Sequence, residues 1–370
     1  MAIENWTNWQ RAVIKVGSAL IAPDGKQVSG QYVLPIAKFI NDARAQGKEI
    51  ILVSSGSVAA GRGVINSHEQ GTTIAEKQAM AAVGQAQMMA NWQRFFDFSC
   101  AQLLITHGDL RDRRRYVNIK NTVRELLANK VLPVINENDT VATKELKVGD
   151  NDNLAALVAL VCEADALFIC SDIDGLFDAD PRVNKEANLI PVVGQITQDT
   201  YALAGDTKNK IATGGMKTKL QAAEKTTNNG IHTFIINGKD DRVFSSILAK
   251  QQVGTWFKAV ENKANAKKQW LKHTLSASGQ VEIDPGAATA LNKKGASLLA
   301  KGILCAHGQF IRGDAVDLVA NGQIVGRGLS QYSNVELNLI AGQESDQFES
   351  LLGFKHKNEV IHRDDLVLFS

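Results

Sequence analysis

Cysteine is scarce in this 370-residue chain, and its four cysteines, Cys100, Cys162, Cys170 and Cys305, are far apart. They form no Cys-x-x-Cys pair, and no histidine stands at zinc-finger spacing from them. This pattern excludes a disulfide framework and predicts core thiols in a reducing compartment. We also predict no metal ion held directly by side chains.

Long apolar runs and a targeting signal are missing too. The longest apolar run, residues 154–162, is too short to cross a bilayer. The first ten residues lack the basic start and the apolar stretch of a signal peptide. We therefore expect a cytoplasmic protein with no membrane partner.

Neither sign of charge is in excess. The chain has 41 Lys and Arg against 39 Asp and Glu, a net charge of +2, so its overall charge favours no polyanionic partner. Hydrophobic residues make up 44%, which is typical of a globular protein. Because 370 residues exceed the size at which one hydrophobic core keeps growing, two domains are expected.

Two common phosphate-binding motifs are absent. There is no G-x-x-x-x-G-K-[ST], which excludes a P-loop enzyme, and no G-x-G-x-x-G follows a strand, so a dinucleotide fold loses support. If a nucleotide binds, several separate loops must hold its phosphates.

Apolar strand segments alternate with helical periodicity through the first two thirds of the chain. This order predicts a mainly parallel sheet covered by helices on both faces, with ligands beyond the carboxyl ends of the strands. The predicted strands are residues 12–16, 49–53, 101–105, 131–135, 166–170 and 233–236, and the predicted helices are 33–45, 74–96, 117–129 and 154–162.

Two polar clusters bracket one connection in the middle of the chain. Residues 136–139, Asn-Glu-Asn-Asp, end the predicted fourth strand, and residues 150–153, Asp-Asn-Asp-Asn, open the next helix. A turn followed by an N-cap would also place short polar side chains there. Two such clusters so close together favour a binding site.

Other polar side chains also follow predicted strands. Lys15 lies inside an apolar strand, where its burial is costly unless an anion faces it, although a lysine on an edge strand could extend to solvent. Ser18 and residues 54–57 precede helices, so nearby backbone N–H groups can face an anion. Residues 213–219 place two glycines before a helix with two lysines, which favours a phosphate site but is also common in exposed loops.

The pattern changes near residue 258. A lysine-rich connector covers residues 258–277, and short strand-like segments separated by glycine follow. Asn321-Gly322 between two of these segments predicts a hairpin. We expect a small, mainly β domain at 278–355 and a C-terminal tail at 356–370.

Taken together, the motifs resemble the amino acid kinase family, in its glutamate-phosphorylating branch with a C-terminal PUA domain. The resemblance covers nearly the full length. It is carried by segments 13–18, 53–62, 133–139, 148–154 and 213–220. It implies a three-layer αβα sandwich at 1–257 and ATP-dependent phosphorylation of the L-glutamate side chain, the first step of proline biosynthesis.

The resemblance also implies residue roles. Lys15 and Lys219 would contact the transferring phosphoryl group, and Asp152 would hold these lysines. L-Glutamate would be bound by Ser55, Gly56, Asn136, Asp139, Asp150 and Asn151. ATP, accompanied by Mg²⁺, would be bound by Lys15, Gly17, Ser18, Ser171, Asp172, Thr213, Gly214, Gly215, Met216, Lys217, Thr218 and Lys219. Ala212 departs from a frequent glycine, which leaves the course of the nucleotide loop open.

Further properties are implied by the family alone: feedback inhibition by proline, assembly into a homo-oligomer (dimer or tetramer), and channelling of product to the next enzyme of proline synthesis. Two alternatives stay open. One is another kinase of the same fold, acting on acetylglutamate or aspartate. The other is an RNA-binding protein, but residues 278–355 contain six Lys and Arg against eight Asp and Glu, and this balance of −2 argues against nucleic acid.

Overall fold

The protein is described from a computed structural model. It covers residues 5–25, 28–65, 72–142, 151–204, 215–260 and 276–369. The chain divides into two compact units, the first containing an eight-stranded sheet and the second a five-stranded sheet. Each unit is described by itself.

The sheet of the first unit is mainly parallel, as predicted. Its spatial order is β3-β4-β2-β1-β5-β7-β8-β6. Among these strands β7 and β8 form the antiparallel pair, and β6 runs parallel to β8. The strands are β1 (Arg11–Val16), β2 (Glu49–Ser54), β3 (Cys100–Ile105), β4 (Leu132–Glu137), β5 (Ala166–Ser171), β6 (Val192–Val193), β7 (His232–Asn237) and β8 (Thr255–Phe257). The chain adds strands to one side of β1 and then, from β5, to the other. Such a switch in strand order opens a crevice at the carboxyl ends of the strands.

Helices fill the connections. They are α1 (Ser18–Ile21), α2 (Val33–Ala45), α3 (Ser57–Gly61), α4 (Ile74–Gln93), α5 (His107–Arg111), α6 (Arg113–Ala128), α7 (Asn151–Val161), α8 (Gln198–Leu203), α9 (Met216–Thr227) and α10 (Arg242–Leu248). A short 3-10 turn, Asn5–Asn8, precedes β1.

Strand β1 shows why the unit has three layers. Its alternate residues Ala12, Ile14 and Val16 pack in one hydrophobic cluster with α2. The residues between them, Val13 and Lys15, are buried as well, so the opposite face is also covered. Since successive side chains of a strand point to opposite faces, both faces of the sheet carry helices. Lys15 meets Asp152 of α7, which identifies α7 as part of that second layer.

Helix α6 and the strands β6 and β8 are among the elements that differ from the predictions. Helix α6 begins at Arg113, four residues before the predicted start at 117, because the Asp112 carboxylate accepts a hydrogen bond from the Arg115 N–H and caps the helix. Strands β6 and β8 were not predicted, because two or three residues are too few to show a period.

The second unit is mainly β. Its five-stranded sheet has the order β11-β9-β12-β13-β15, and β10 pairs separately with β14. The strands are β9 (Gly279–Ile283), β10 (Leu298–Leu299), β11 (Ile303–Gly308), β12 (Ala315–Ala320), β13 (Gln323–Leu329), β14 (Glu359–Ile361) and β15 (Leu366–Leu368). Its helices are Pro285–Lys294, Asn334–Ile340 and Phe348–Leu352, with 3-10 turns Ala300–Gly302, Ser345–Gln347 and Arg363–Asp365.

The predicted hairpin is confirmed. Asn321 and Gly322 join β12 to β13, and both have positive φ, 50° and 75°. Two positive φ values are typical of the turn that matches the twist of a two-residue hairpin. The region expected to be a tail differs, since β14 and β15 lie within 356–370 and β15 pairs with β13. Most of the connector at 258–277 lies outside the described residues.

Strand β11 forms one edge of the second sheet, and a helix side chain closes that edge. The amide of Asn338, in helix Asn334–Ile340, accepts a hydrogen bond from the Ala306 N–H and donates one to the Ala306 carbonyl. Unpaired strand edges are templates for pairing with other chains, and this amide covers part of the edge.

The cysteines divide into two groups. Cys162 and Cys170 are buried, as predicted for core thiols, but Cys100 and Cys305 are only partly buried, contrary to that prediction. No helix in the described part of the chain is both long and apolar enough to span a bilayer.

Candidate active site

Two lysines distant in sequence converge on one buried aspartate. The Nζ of Lys15 lies 2.6 Å from Oδ1 of Asp152, and the Nζ of Lys219 lies 3.2 Å from Oδ2. Lys15 is delivered by β1, Asp152 by the first turn of α7 and Lys219 by the first turn of α9. We call these three residues the lysine cluster.

The lysine cluster carries a net charge of +1 in a buried setting. Asp152 is fully buried, and the side chains of Lys15 and Lys219 are only 8% and 5% exposed. Burial raises the pKa of Asp152, but the two ammonium groups and a hydrogen bond from Thr218 outweigh it, so this pKa lies below its ordinary value. Burial lowers the pKa of Lys219 despite Asp152. A buried excess of positive charge is costly until an anion compensates it.

A chain of hydrogen bonds lies next to the lysine cluster. The Nδ2 of Asn151 donates to Oγ of Ser55 at 2.7 Å and to Oδ1 of Asn136 at 2.9 Å. The Nδ2 of Asn136 donates in turn to Oε1 of Gln85 at 3.0 Å. We call Ser55, Gln85, Asn136 and Asn151 the amide network. It joins the turn after β2 to α4, β4 and α7 through neutral side chains.

The amide network ends at a carboxylate. Asn136 is 3.4 Å from Oγ of Ser57, whose hydroxyl donates to Oδ2 of Asp139 at 3.0 Å. Burial raises the pKa of Asp139, and the hydrogen bond from Ser57 opposes this rise. The carboxylate is therefore suited to a cationic group, such as an ammonium.

Asn151 and Asp152 connect the two groups of residues. Asn151 belongs to the amide network and Asp152 to the lysine cluster, and they are successive residues at the start of α7. A phosphoryl acceptor bound at the amide network and a phosphate donor bound at the lysine cluster would therefore meet at the first turn of α7.

Gly56 turns the chain between β2 and α3. Its φ of 104° is a left-handed conformation, and an added Cβ would lie 2.6 Å from Cγ2 of Ile21. Glycine is the residue that adopts this conformation without strain. Gly56 thereby places Ser55 and Ser57 on either side of a tight turn.

The predicted ATP residues fall at neighbouring strand and helix ends. Gly17 and Ser18 join β1 to α1, and the Gly17 N–H donates to the Cys170 carbonyl at 3.2 Å. Ser171 ends β5, and its hydroxyl lies 3.3 Å from Oδ1 of Asp172. Gly215 is the N-cap of α9, and Met216, Lys217, Thr218 and Lys219 form its first turn. Asp150, Thr213 and Gly214 lie outside the described residues.

Thr218 ties the start of α9 to the lysine cluster. Its Oγ1 donates to Oδ2 of Asp152 at 2.8 Å and lies 2.9 Å from the Gly215 carbonyl. The segment predicted to bind nucleotide is therefore connected directly to the residue that holds both lysines.

Sequence reasoning missed Gln85 and gave no role to the side chain of Ser57, although it singled out the turn at residues 54–57. Gln85 reaches the site because α3 and α4 pack closely against each other. Their close approach is at Gly84, where an added Cβ would lie 1.8 Å from the Ser57 carbonyl oxygen. The signal was a glycine inside a helix, which costs stability unless another backbone approaches closely. The following residue, Gln85, belongs to no motif that would have indicated a role in the site.

The geometry is suited to a reaction between two anions. Buried ammonium groups can neutralise a phosphate, and the amide network with Asp139 can hold a small zwitterion beside it. The fold and the site thus define an α/β phosphotransferase.

Comparison with known proteins identifies the family. The model of the amino acid kinase family matches residues 10–237, and that of the PUA domain matches residues 279–352. The first match covers more than half of the chain, which therefore belongs to the amino acid kinase family.

Three curated relatives have the same name. Glutamate 5-kinase of Idiomarina loihiensis is 53% identical over 98% of this chain and 98% of its own. Glutamate 5-kinase of Salinibacter ruber is 48% identical over 100% of both chains. Glutamate 5-kinase of Xanthomonas axonopodis pv. citri is 48% identical over 96% of this chain and 100% of its own.

Proposed function

We propose that this chain transfers the γ-phosphoryl group of ATP to the side-chain carboxylate of L-glutamate. The products are L-glutamyl 5-phosphate and ADP, and the reaction is the first step of proline biosynthesis. The full-length relatives named glutamate 5-kinase support this activity. The observation that carries it is the lysine cluster directly beside the amide network, joined at Asn151 and Asp152.

The acceptor needs no general base. A glutamate side chain has an ordinary pKa of about 4.3 and is already ionised at neutral pH. The nucleophile is one carboxylate oxygen, which forms a bond to the γ-phosphorus as the bond from phosphorus to the β,γ-bridging oxygen of ATP breaks. No proton has to move in this step.

The barrier is electrostatic. At about 4 Å, two unit charges repel by roughly 4 kcal/mol at an effective dielectric constant near 20, which corresponds to about three decades in rate. Lys15 and Lys219 are placed to offset this repulsion, and Asp152 keeps both ammonium groups on one side of α7. Because they are buried, little reorganisation is needed as charge develops.

The amide network and Asp139 are assigned to L-glutamate. Ser55, Asn136 and Asn151 offer hydroxyl and amide groups to its carboxylates, and Asp139 attracts its ammonium group. Gly56 shapes the turn between Ser55 and Ser57. Asp150, next to Asn151 in sequence, is assigned to the same substrate by the resemblance alone.

ATP is assigned to the strand and helix ends around the lysine cluster. In this proposal the nucleotide is bound by Gly17, Ser18, Ser171, Asp172 and the segment 213–219. Mg²⁺ neutralises phosphate charge when it is bound with ATP. Both oxygens of Asp152 already face ammonium groups, so this carboxylate fits a lysine holder rather than a metal ligand.

An ATP-dependent hydroxamate assay tests the function. Hydroxylamine traps an acyl phosphate but not a phosphoester, so hydroxamate should form with L-glutamate, ATP and Mg²⁺ together. N-acetylglutamate and L-aspartate provide the matched comparison, because they separate this activity from those of other kinases with the fold. Turnover of either one above that of glutamate would contradict the assignment.

Further properties belong to the proposal through the family resemblance. They are inhibition by proline, a dimeric or tetrameric assembly, channelling of the labile product to the next enzyme, and a cytoplasmic location where ATP is available. The catalytic domain is assigned to residues 1–257, and the PUA-like domain begins at residue 278 and includes the strands β14 and β15. Proline titration of the hydroxamate assay and light scattering test the first two properties.

A further inference from the structure

Three side chains of the types that bind metal ions lie close together on one face of the second unit. Glu282 lies on β9, and Cys305 and His307 lie on the adjacent antiparallel strand β11. Glu282 stands opposite Cys305, and His307 is two residues further along the same strand. Residues two apart on a strand share a face, so one edge of the sheet presents a thiol, an imidazole and a carboxylate together.

A β-bulge turns Cys305 outward. Strand register passes from Ile303 opposite Ile283 to Cys305 opposite Glu282, leaving Leu304 without a partner. With strict alternation, Cys305 would point inward like the buried Ile303. The irregularity instead places Cys305 on the face of His307, while Ala306 between them is buried. Bulges commonly re-aim a side chain at a site.

The donor atoms are already at coordinating separations. The Sγ of Cys305 lies 3.4 Å from Oε2 of Glu282 and 3.2 Å from Nε2 of His307, and Nε2 lies 3.7 Å from Oε1 of Glu282. In a tetrahedral zinc site with bonds of about 2.0–2.3 Å, donor atoms are about 3.3–3.7 Å apart. The three separations, two of which end on different oxygens of the Glu282 carboxylate, fall close to this range.

We propose that Glu282, Cys305 and His307 bind one divalent cation of the zinc class at the surface of the PUA-like domain. One sulfur, one nitrogen and one oxygen ligand are supplied by the chain. The fourth position faces solvent, since the side chain of His307 is 60% exposed, and water or an external ligand can occupy it.

The ligand set selects the metal. Thiolate and imidazole favour Zn²⁺ and related transition metals, whereas Mg²⁺ and Ca²⁺ prefer sites made entirely of oxygen. The site is therefore distinct in chemistry from any Mg²⁺ that accompanies ATP.

Without metal, the three groups form a hydrogen-bonded set. The thiol of Cys305 donates a hydrogen bond to Oε2 of Glu282, and its sulfur also lies 3.2 Å from Nε2 of His307. Metal binding replaces the S–H bond with a bond from the thiolate sulfur to the cation, and the proton passes to solvent. The Glu282 carboxylate, which accepted the hydrogen bond from the thiol, then becomes a ligand.

The test uses the full-length chain without a histidine tag. Zn²⁺ binding is measured by isothermal titration calorimetry, and Co²⁺ is added separately to detect the thiolate-to-cobalt charge-transfer band. We expect one equivalent of Zn²⁺ with a Kd of about 1 µM or tighter, and a band that shows sulfur ligation.

Variants test the sulfur and nitrogen ligands. Cys305→Ser should abolish the cobalt band, and His307→Gln should weaken Zn²⁺ binding at least about 100-fold. Cys100→Ser, which changes a partly buried cysteine of the first unit, is the matched control and should bind as the wild type does. Cys305 and His307 lie on a partly exposed face of the sheet, so their substitution should not disturb the core. Thermal unfolding checks that each variant folds.

Two results would overturn the proposal. One is wild-type binding weaker than about 0.1 mM with no cobalt band. The other is full Zn²⁺ affinity in both Cys305→Ser and His307→Gln, which would place any metal elsewhere. Neither result bears on phosphoryl transfer, which is measured independently.

Discussion

The lysine cluster and the amide network are adjacent, yet they are built from opposite kinds of side chain. The cluster is charged, deeply buried and centred on one carboxylate, whereas the network is neutral and passes hydrogen bonds from one amide to the next. Charge in a low-dielectric setting acts strongly on a charged transition state, while directional hydrogen bonds fix a ligand in position. The difference predicts that changes to the cluster lower kcat and that changes to the network raise the KM for glutamate.

Lys15→Ala tests this division most severely. Loss of one of two ammonium groups should lower kcat by about a thousandfold, because roughly 4 kcal/mol of repulsion is no longer offset. The KM for glutamate should change little. Steady-state kinetics at saturating ATP measures both values. Lys38→Ala, an exposed lysine paired with Asp42, is the control, and equal kcat in the two variants would remove Lys15 from catalysis.

Asp152→Asn should damage both stability and turnover. Two buried ammonium groups would lose their carboxylate, and breaking a buried ion pair in this way costs about 3–5 kcal/mol of unfolding free energy. Urea denaturation measures the loss, and kcat should fall because the lysines are no longer held. An unchanged kcat would show that the lysines keep their positions without Asp152.

Gly84→Ala probes the packing that positions the network. An added Cβ would lie 1.8 Å from the Ser57 carbonyl oxygen, so α3 and α4 must separate. Overpacking of this kind costs about 1–3 kcal/mol, and the KM for glutamate should rise as Gln85 and Ser57 shift. Gly63→Ala is the matched control, since no atom lies within 4 Å of its added Cβ. Equal melting temperatures for the two variants would contradict the close approach.

Gln85→Met isolates one link of the amide network. The Asn136 amide would lose its acceptor, at a cost of about 1–2 kcal/mol, and the KM for glutamate should rise by about tenfold with kcat nearly unchanged. Gln87→Met changes an exposed residue of the same helix and should leave both constants as they are. A fall in kcat without a rise in KM would move Gln85 from binding to catalysis.

Ser57→Ala gives the smallest effect, a shift in pH dependence. Burial already raises the pKa of Asp139, and removal of the Ser57 hydroxyl takes away the hydrogen bond that opposes this rise. Asp139 should then be protonated at higher pH. As pH falls, the KM for glutamate should begin to rise earlier in the variant than in the wild type. Superimposable KM profiles would separate Asp139 from the ammonium group of glutamate.

The sequence was informative where periodicity is long and where polar residues end apolar strands. Helix α2 was predicted at its observed bounds, since Val33, Ile36 and Ile40 recur at helical spacing and are buried. Lys15 was found because a lysine in an apolar strand needs an anionic partner, and Asp152 is that partner. The family resemblance contributed the pairing of Lys15 with Lys219, which no spacing in the sequence shows.

What could not be predicted depends on contacts between distant segments. Gln85 reaches Asn136 only because α3 and α4 pack closely at Gly84. Cys305 was expected in the core together with the other cysteines, and the bulge in β11 that turns it outward has no sequence signal. The strands within 356–370 were missed because each has three residues and pairs with a remote segment.

In the proposed function, the two successive side chains at the start of α7 also set the spacing between the acceptor site and the phosphate-facing lysines. In the proposed function Asn151 contacts the acceptor and Asp152 holds the lysines that face the donor, and these two residues share one peptide bond. An engineer could alter the groups that recognise the acceptor and keep the phosphate-facing lysines in register. For the same reason, a residue inserted between Asn151 and Asp152 would shift the amide network and the lysine cluster relative to each other.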